Sequence, residues 1–255
     1  MPGYSGLDCY FSGLGREKSL ICLRERGWDI KRVILPLNLA EPLRNSRTIF
    51  ERQGFEVILA KRDDLPRVAA AARADILLSI GFHYILPEQV IKCYKLALNS
   101  HPTLLPKYRG PTSGAYILLN AETESGLTVH LIDAGMDTGP IVLQKKFPIS
   151  PFDTTRSVQN KSYALEPEAL AEALQLSQTE GFTPRPQDES RALTYPRKRT
   201  PEDSEIDPHK SILALYDAIR ACDPEKYPAF FYWRGQKVCL KLWRPDKQGD
   251  DPSSL

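Results

Sequence analysis

Short apolar runs alternate with amphipathic stretches over the first two-thirds of the chain. That alternation predicts an α/β fold: a Rossmann-like, mixed, mostly parallel sheet flanked by helices. Beyond a Pro-, Arg-, Asp-, Glu- and Ser-rich stretch, one helical pattern and two aromatic runs around Arg234-Gly235-Gln236 add a small C-terminal helix plus β-hairpin subdomain. A chain of 255 residues has room for one large domain and such an appendage.

In chain order, Leu7 to Phe11 reads as a strand and Gly15 to Arg26 as a helix with Leu20, Ile21 and Leu23 on its inner face. Arg32 to Leu37 is a strand, Glu41 to Gln53 a helix and Glu56 to Leu59 a strand. The Ala-rich Val68 to Arg73 is helical, and Asp75 to Ile80 is a buried strand. Pro87 suits the first turn of a helix reaching Tyr94. Leu96 to Asn99 is the next strand, followed by a helix near Ser113 to Asn120. The β-branched run Gly126 to Ile132 and the run Pro140 to Phe147 are strands placed to pair antiparallel, which would make the sheet mixed. Helical patterning resumes from Thr154 to Gln178, with Pro167 expected to break or kink it. The expected organisation is a catalytic domain over 1–182, a linker or extended loop over 183–210, the small subdomain over 211–245 and a polar, disordered tail over 246–255.

Composition narrows the function classes. Hydrophobic residues at 42% and charged residues at 26% are ordinary for a soluble globular chain. Five scattered cysteines (Cys9, Cys22, Cys93, Cys222, Cys239) without C-x-x-C spacing read as reduced, structural thiols, and no Cys/His cluster suggests a metal. No run approaches the ~18 apolar residues of a membrane span. The N-terminus has no signal-peptide pattern, so a cytoplasmic protein without membrane contact is expected. A net charge of +2 offers no footprint for long nucleic acid.

The chemistry concentrates in Leu98-Asn99-Ser100-His101-Pro102 and in Asp133-Ala134-Gly135-Met136-Asp137-Thr138-Gly139-Pro140. On extended backbone Asn99 and His101 share a face. A carboxamide beside an imidazole suits acyl transfer, one group donating to an oxyanion while the other moves a proton. Asp137 offers the carboxylate that favours the imidazolium and fixes its tautomer. The loops after Phe11, Ile80, Asn99 and Ile132 all follow strands, so a site at one sheet edge is coherent.

Other features have plainer readings. His130 lies mid-strand and reads as a core or sheet-face histidine, and His209 as solvated. Gly13-Leu14-Gly15 is a tight turn that lets a substrate approach the backbone; Lys18 at the third glycine position argues against a dinucleotide fingerprint. Arg197-Lys198-Arg199 is either a solvated charge run or a diphosphate contact. Trp233 and Trp243 read as the small core of the hairpin piece, the alternative being a base-stacking role for one of its aromatics.

Asn99-x-His101 followed by Leu104-Leu105-Pro106-Lys107-Tyr108-Arg109-Gly110, with Asp133 to Ile141 downstream, resembles the 10-formyltetrahydrofolate-dependent formyltransferases. The likeness is strong from Leu77 to Phe147 and looser from Gly6 to Gln178. It implies the formyltransferase fold, a formyl donor (10-formyltetrahydrofolate, with no metal) and a catalytic trio Asn99, His101 and Asp137. By the same resemblance Asn99 stabilises the tetrahedral oxyanion, His101 relays the proton and Asp137 raises the imidazole pKa. The folate pocket would comprise Phe82, His83, Tyr84, Ile85 and Leu86, mostly through main chain, with Asp133, Ala134, Gly135, Met136 and Asp137.

For the acceptor, the tail from Thr200 through Ile206-Asp207 to Trp243 looks like that of sugar N-formyltransferases. A nucleotide-linked amino sugar for surface glycan or O-antigen biosynthesis is therefore expected, with Ser12, Gly13, Lys107, Arg197 and Arg199 as candidate substrate contacts and no nucleic-acid partner. Such enzymes are often dimeric, which makes a homodimer part of the expectation. The alternative is a methionyl-tRNA formyltransferase-like enzyme lacking the usual basic C-terminal tRNA-binding domain.

Overall fold

Alternation along the central strands sends side chains to two apolar clusters, one on each sheet face. In the computed structural model, which describes residues 4–111, 113–245 and 254–255, β1 (Leu7–Phe11), β2 (Ile30–Pro36) and β4 (Ile76–Ile80) are almost wholly buried. Leu7, Cys9, Phe11, Val33, Leu35, Leu78 and Ile80 feed one cluster. Tyr10, Ile34 and Leu77 feed the other.

The remaining elements are α1 (Glu17–Glu25), α2 (Arg44–Arg52), β3 (Glu56–Ala60), α3 (Leu65–Ala70), α4 (Glu88–Ile91), β5 (Leu96–His101), α5 (Ser113–Leu119), β6 (Glu124–Leu131), β7 (Ile141–Pro148), α6 (Thr155–Leu176), α7 (Ile212–Arg220), β8 (Ala229–Trp233) and β9 (Gln236–Leu240). Among the described residues a seven-stranded sheet runs in the order β3-β2-β1-β4-β5-β6-β7, beside a separate β8-β9 hairpin. Pairing is parallel from β3 to β5 and antiparallel between β5 and β6. The sheet is therefore the mixed, mostly parallel one expected, with its small C-terminal hairpin.

Several boundaries differ from the sequence reading, each for a physical reason. β5 continues past Asn99 to His101, because Ser100 and His101 pair with Val129 and Thr128. His101 thus lies on the same strand as Asn99 rather than in the loop after it. α2 starts at Arg44, after a 3-10 turn over Leu37–Leu39. α4 is one turn long, with extended Pro87 as its N-cap. α6 runs from Thr155 to Leu176 with Pro167 inside it. The hairpin turns on two residues, Arg234 and Gly235, with φ of 50° and 76°, so that Trp233 faces Gln236. The tail expected over 246–255 falls mostly on residues 246–253, outside those described.

The chain divides into two compact units. The first comprises Met1–His101, Leu127–Lys145 and Leu165–Ser190; the second comprises Pro102–Gly126, Lys146–Ala164 and Arg191–Leu255. Within the first, both clusters pack on the sheet. The second holds a cluster around Tyr108, Ile117, Leu118 and Val158 and another around Ile206, Leu215, Ile219 and Ala229. Among the described residues no helix is long and apolar enough to cross a membrane.

Candidate active site

Register brings the first polar cluster together. Asn99 and His101 are two apart on β5 and so project from the same face; Asn99 stands directly opposite His130 of β6. The Asn99 amide Nδ2 donates to His130 Nε2 at 3.1 Å and to Asp137 Oδ1 at 3.3 Å. The other carboxylate oxygen of Asp137 lies 3.5 Å from His101 Nδ1, and Oδ1 lies 3.6 Å from His130 Nε2. One carboxylate therefore stands between two imidazoles, whose rings meet edge-on at 6.5 Å. His130 Nδ1 lies 2.7 Å from the Leu131 carbonyl oxygen. An acceptor at Nδ1 and a donor amide at Nε2 assign the neutral Nδ1–H tautomer to His130.

His101 is 5% exposed and His130 2%, while the Asp137 side chain keeps 16% of its surface. The carboxylate is thus the more accessible edge of a largely desolvated cluster, where electrostatic interactions are strengthened.

The loop that presents Asp137 is tightly wound. Asp133 Oδ1 accepts from Gly135 N at 3.1 Å and from Thr138 Oγ1 at 2.6 Å, an Asx-type turn. Asp137 itself has φ of 56°, in the left-handed region. A Cβ on Gly139 would stand 1.8 Å from the Leu131 carbonyl oxygen, so only glycine fits there. Gln187, fifty residues downstream, donates from Nε2 to the carbonyl oxygens of Asp137 (2.8 Å) and Gly139 (2.7 Å).

Ser100 faces the opposite side of β5 from Asn99 and His101. It donates to Glu166 of α6, a fully buried carboxylate that also accepts from Ser19 at 2.7 Å and from Arg16 Nε at 2.9 Å. Arg16 and Glu166 form a buried ion pair. Burial, followed by the nearby Glu166 charge, pushes the Cys9 thiol well above its ordinary value, so Cys9 stays a packed thiol.

The loop after β4 adjoins the loop after β1. His83 N–H donates to Ser12 Oγ at 3.1 Å, and a Cβ on Gly13 would meet Ile80. Phe82 packs edge-on against Tyr10 and Tyr84, and Tyr84 OH donates to Asn38 Oδ1 at 2.6 Å. Leu86 is buried, whereas Ile85 is 69% exposed. Asp133, Ala134 and Gly135 are exposed and Met136 is half-buried.

The other sequence candidates lie in the second unit. Lys107 Nζ pairs with Glu122 at 2.7 Å. Arg197 grips both oxygens of Asp203, at 2.6 and 2.7 Å, and holds that carboxyl well below the usual range. Arg199 donates to the Asp203 carbonyl. Arg197 and Arg199 thus hold Asp203, which with Thr200 forms the capping box of the 3-10 turn Pro201–Ser204.

Sequence reading gave His130 a core or sheet-face role and did not single out Gln187, Glu166 or Arg16. For His130 the one available signal was its place on a strand able to pair with β5; nothing in sequence pointed to the other three. Among the described residues no group of three or more His, Cys, Asp or Glu is arranged to hold a metal ion.

A family model described as formyl transferase matches residues 37–174. The methionyl-tRNA formyltransferase of Synechococcus sp. (strain JA-3-3Ab) is 37% identical over 177 residues, covering 68% of this chain and 54% of that protein. Four further relatives, 29 to 36% identical, carry the same name. The chain spans roughly half to two-thirds of these relatives, between 51% and 66% of their length. Among solved structures, a 4-N formyltransferase from Francisella tularensis has a TM-score of 0.76 at 19% identity, covering 93% of this chain and 97% of that one. HypX from Aquifex aeolicus, in complex with tetrahydrofolic acid, has a TM-score of 0.69 at 20% identity and covers 93% and 37%. At such identities the structural likeness shows the fold alone.

The expected amino-sugar acceptor is corrected by these findings. Four curated relatives at 36–37% identity are named for methionyl-tRNA, which favours the alternative reading. The exclusion of nucleic acid loses its footing with it, because a net charge of +2 is a sum over the whole chain and says nothing about a local basic surface.

Proposed function

The chain belongs to the formyl transferase family, and we propose that it moves the formyl group of 10-formyltetrahydrofolate to an amine, with the aminoacyl amine of methionyl-tRNA as acceptor. The observation that carries formyl transfer is the shared face of Asn99, His101 and Asp137. The donor supplies an electrophilic formyl carbon; the amine nitrogen forms the new C–N bond and the bond to the folate nitrogen breaks. His101 takes the proton released by the attacking nitrogen and returns it to the departing one. Asp137 orients the imidazole and favours its protonated form. An Asn99 N–H stabilises the tetrahedral oxyanion. In the free protein both hydrogens of that amide face acceptors, His130 Nε2 and Asp137 Oδ1, so the oxyanion competes with one of them.

The residues at this sheet edge fit a flat heteroaromatic donor. Leu14, Leu37 and Ile85 follow β1, β2 and β4 and are exposed although apolar. The loop Gly81 to Pro87 supplies backbone groups beside them, and its His83 N–H already reaches Ser12 in the loop after β1. Support for an RNA-borne acceptor comes from the relatives' name and from the segment Lys226 to Arg244, which has five Lys or Arg residues and no Asp or Glu.

The test is direct. Incubated with 10-formyltetrahydrofolate and methionyl-tRNA, the protein is expected to yield N-formylmethionyl-tRNA. His101→Ala and Asp137→Asn are expected to lose at least roughly a hundredfold in kcat while still binding folate. Failure of the wild type to formylate methionyl-tRNA rejects the acceptor, and near-wild-type turnover in either variant rejects the chemistry.

A further inference from the structure

We propose that Gln187 is a positioning residue for the Asp137 carboxylate: its side-chain amide clamps the backbone on both sides of Thr138 and so fixes that carboxylate between His101 and His130. The inference rests on the reading of Asp137 as part of the acyl-transfer cluster.

Three observations converge on it. Asp137 occupies the left-handed region, a conformation that persists in a non-glycine residue only when its surroundings over-determine it. The Asx turn of Asp133 secures the loop's first half, through Gly135 N and Thr138 Oγ1. The Gln187 bonds to the carbonyls of Asp137 and Gly139 secure the second half. Two carbonyl acceptors also settle the amide's orientation, because only the nitrogen can donate to both.

Gln187 is itself held in place. Two residues earlier, Arg185 exchanges both backbone hydrogen bonds with Ile141 at the start of β7, at 2.7 and 2.8 Å. The Arg185 side chain donates to Gln144 Oε1 at 2.8 Å. The clamp is thus braced against the same strand that leaves the Asp137 loop. A carboxylate displaced by about 1 Å can cost a hundredfold in rate, so a residue far along the chain has leverage on the chemistry.

Asp137 and His130 both face His101 in this cluster. Withdrawing the carboxylate lowers the imidazole pKa. The protein has four histidines, so each ring carbon proton can be followed by NMR through a pH titration. Gln187→Glu keeps the shape and removes both donors, setting an acceptor against two carbonyls. The expected result is a fall in the His101 pKa toward its value in Asp137→Asn, with kcat reduced roughly ten- to hundredfold. Gln187→Met, of matching length and without charge, is expected to act in the same direction and is read instead if the Glu variant loses its native spectrum.

A His101 titration indistinguishable from wild type in both folded variants overturns the clamp, whatever the activity. The functional reading fails separately. If Asp137→Asn retains turnover, Asp137 is not catalytic, yet the titration still decides whether Gln187 positions it.

Discussion

At the scale of single residues, the Asn99 amide has both hydrogens engaged before any oxyanion arrives. It donates to His130 and Asp137, and the tautomer of His130 follows from its bond to the Leu131 carbonyl. His130→Leu leaves one amide hydrogen without its acceptor and frees the side chain to rotate. A net hydrogen bond of about 1 kcal/mol corresponds to roughly fivefold in rate. That loss is expected in kcat, well short of the loss in His101→Ala, with KM for the acceptor unchanged; single-turnover kinetics check it. A His130→Leu enzyme as dead as His101→Ala would show that His130 itself moves the proton. Asn99 and His101 were legible as a pair because strand periodicity alone puts alternate residues on one face. The role of His130 was not, because it depends on which residue of β6 stands opposite Asn99, and strand register is not written locally. Gln187 was further out of sight: its reach spans fifty residues, and the turn it clamps exists only in the folded chain.

At the scale of elements, the central strand of the site is held from behind. Glu166 of α6 accepts from Ser100, Ser19 and Arg16, so α6 fixes β5 on the face away from the chemistry. Glu166 is 0% and Arg16 4% exposed at the side chain. Removing one partner of a buried pair costs about 3 to 5 kcal/mol, whereas replacing both with apolar residues is often neutral. Glu166→Ala is therefore expected to lose about that much in urea unfolding, and Arg16→Met with Glu166→Leu to recover most of it. The other face of β1 makes a second prediction. Burial pushes the Tyr10 hydroxyl up to about 12, and burial together with Tyr10 raises its partner Tyr94 further. Below pH 10 both the folded and the unfolded chain keep these protons and the contribution is constant. Above it the unfolded chain releases them first, so stability falls between pH 10 and about 12. The Tyr10 share is on the order of 2 kcal/mol, and Tyr10→Phe is expected to flatten the fall. The elements themselves were largely readable, since each strand of the first unit is an apolar run bounded by turn residues. Their ends were less so, because pairing partners decide them: β5 gained Ser100 and His101 from β6.

At the scale of the whole molecule, the acceptor turns on how charge is distributed rather than on its sum. Between Lys226 and Arg244 lie Lys226, Arg234, Lys237, Lys241 and Arg244, with no acidic residue, while the chain as a whole carries only +2. Averaging hid this segment in the sequence, because acidic residues elsewhere, among them Asp223, Glu225 and Asp246, offset it in the sum over the chain. The same hairpin exposes Tyr232 and Trp233, and Trp243 just beyond β9 is exposed as well, not part of a small core. Aromatic faces interleaved with cations are the surface that stacks on bases and releases counterions from phosphates. Its core side, formed by Ala229, Phe231 and Leu240, packs with α7, so the outward residues can be changed without opening that cluster. Binding of methionyl-tRNA is therefore expected to weaken steeply between 50 and 200 mM salt on the order expected for several phosphate contacts. Changing Arg234, Lys237 and Lys241 together to Gln should flatten the plot of log affinity against log salt by about one unit for each phosphate no longer neutralised. Fluorescence anisotropy across a salt series reads both quantities. A slope unchanged by the triple substitution would remove the hairpin from RNA recognition and leave the acceptor to be gripped elsewhere. An equal affinity for heparin and tRNA, both falling in the variant, would mean that the hairpin supplies charge and the aromatic faces contribute nothing.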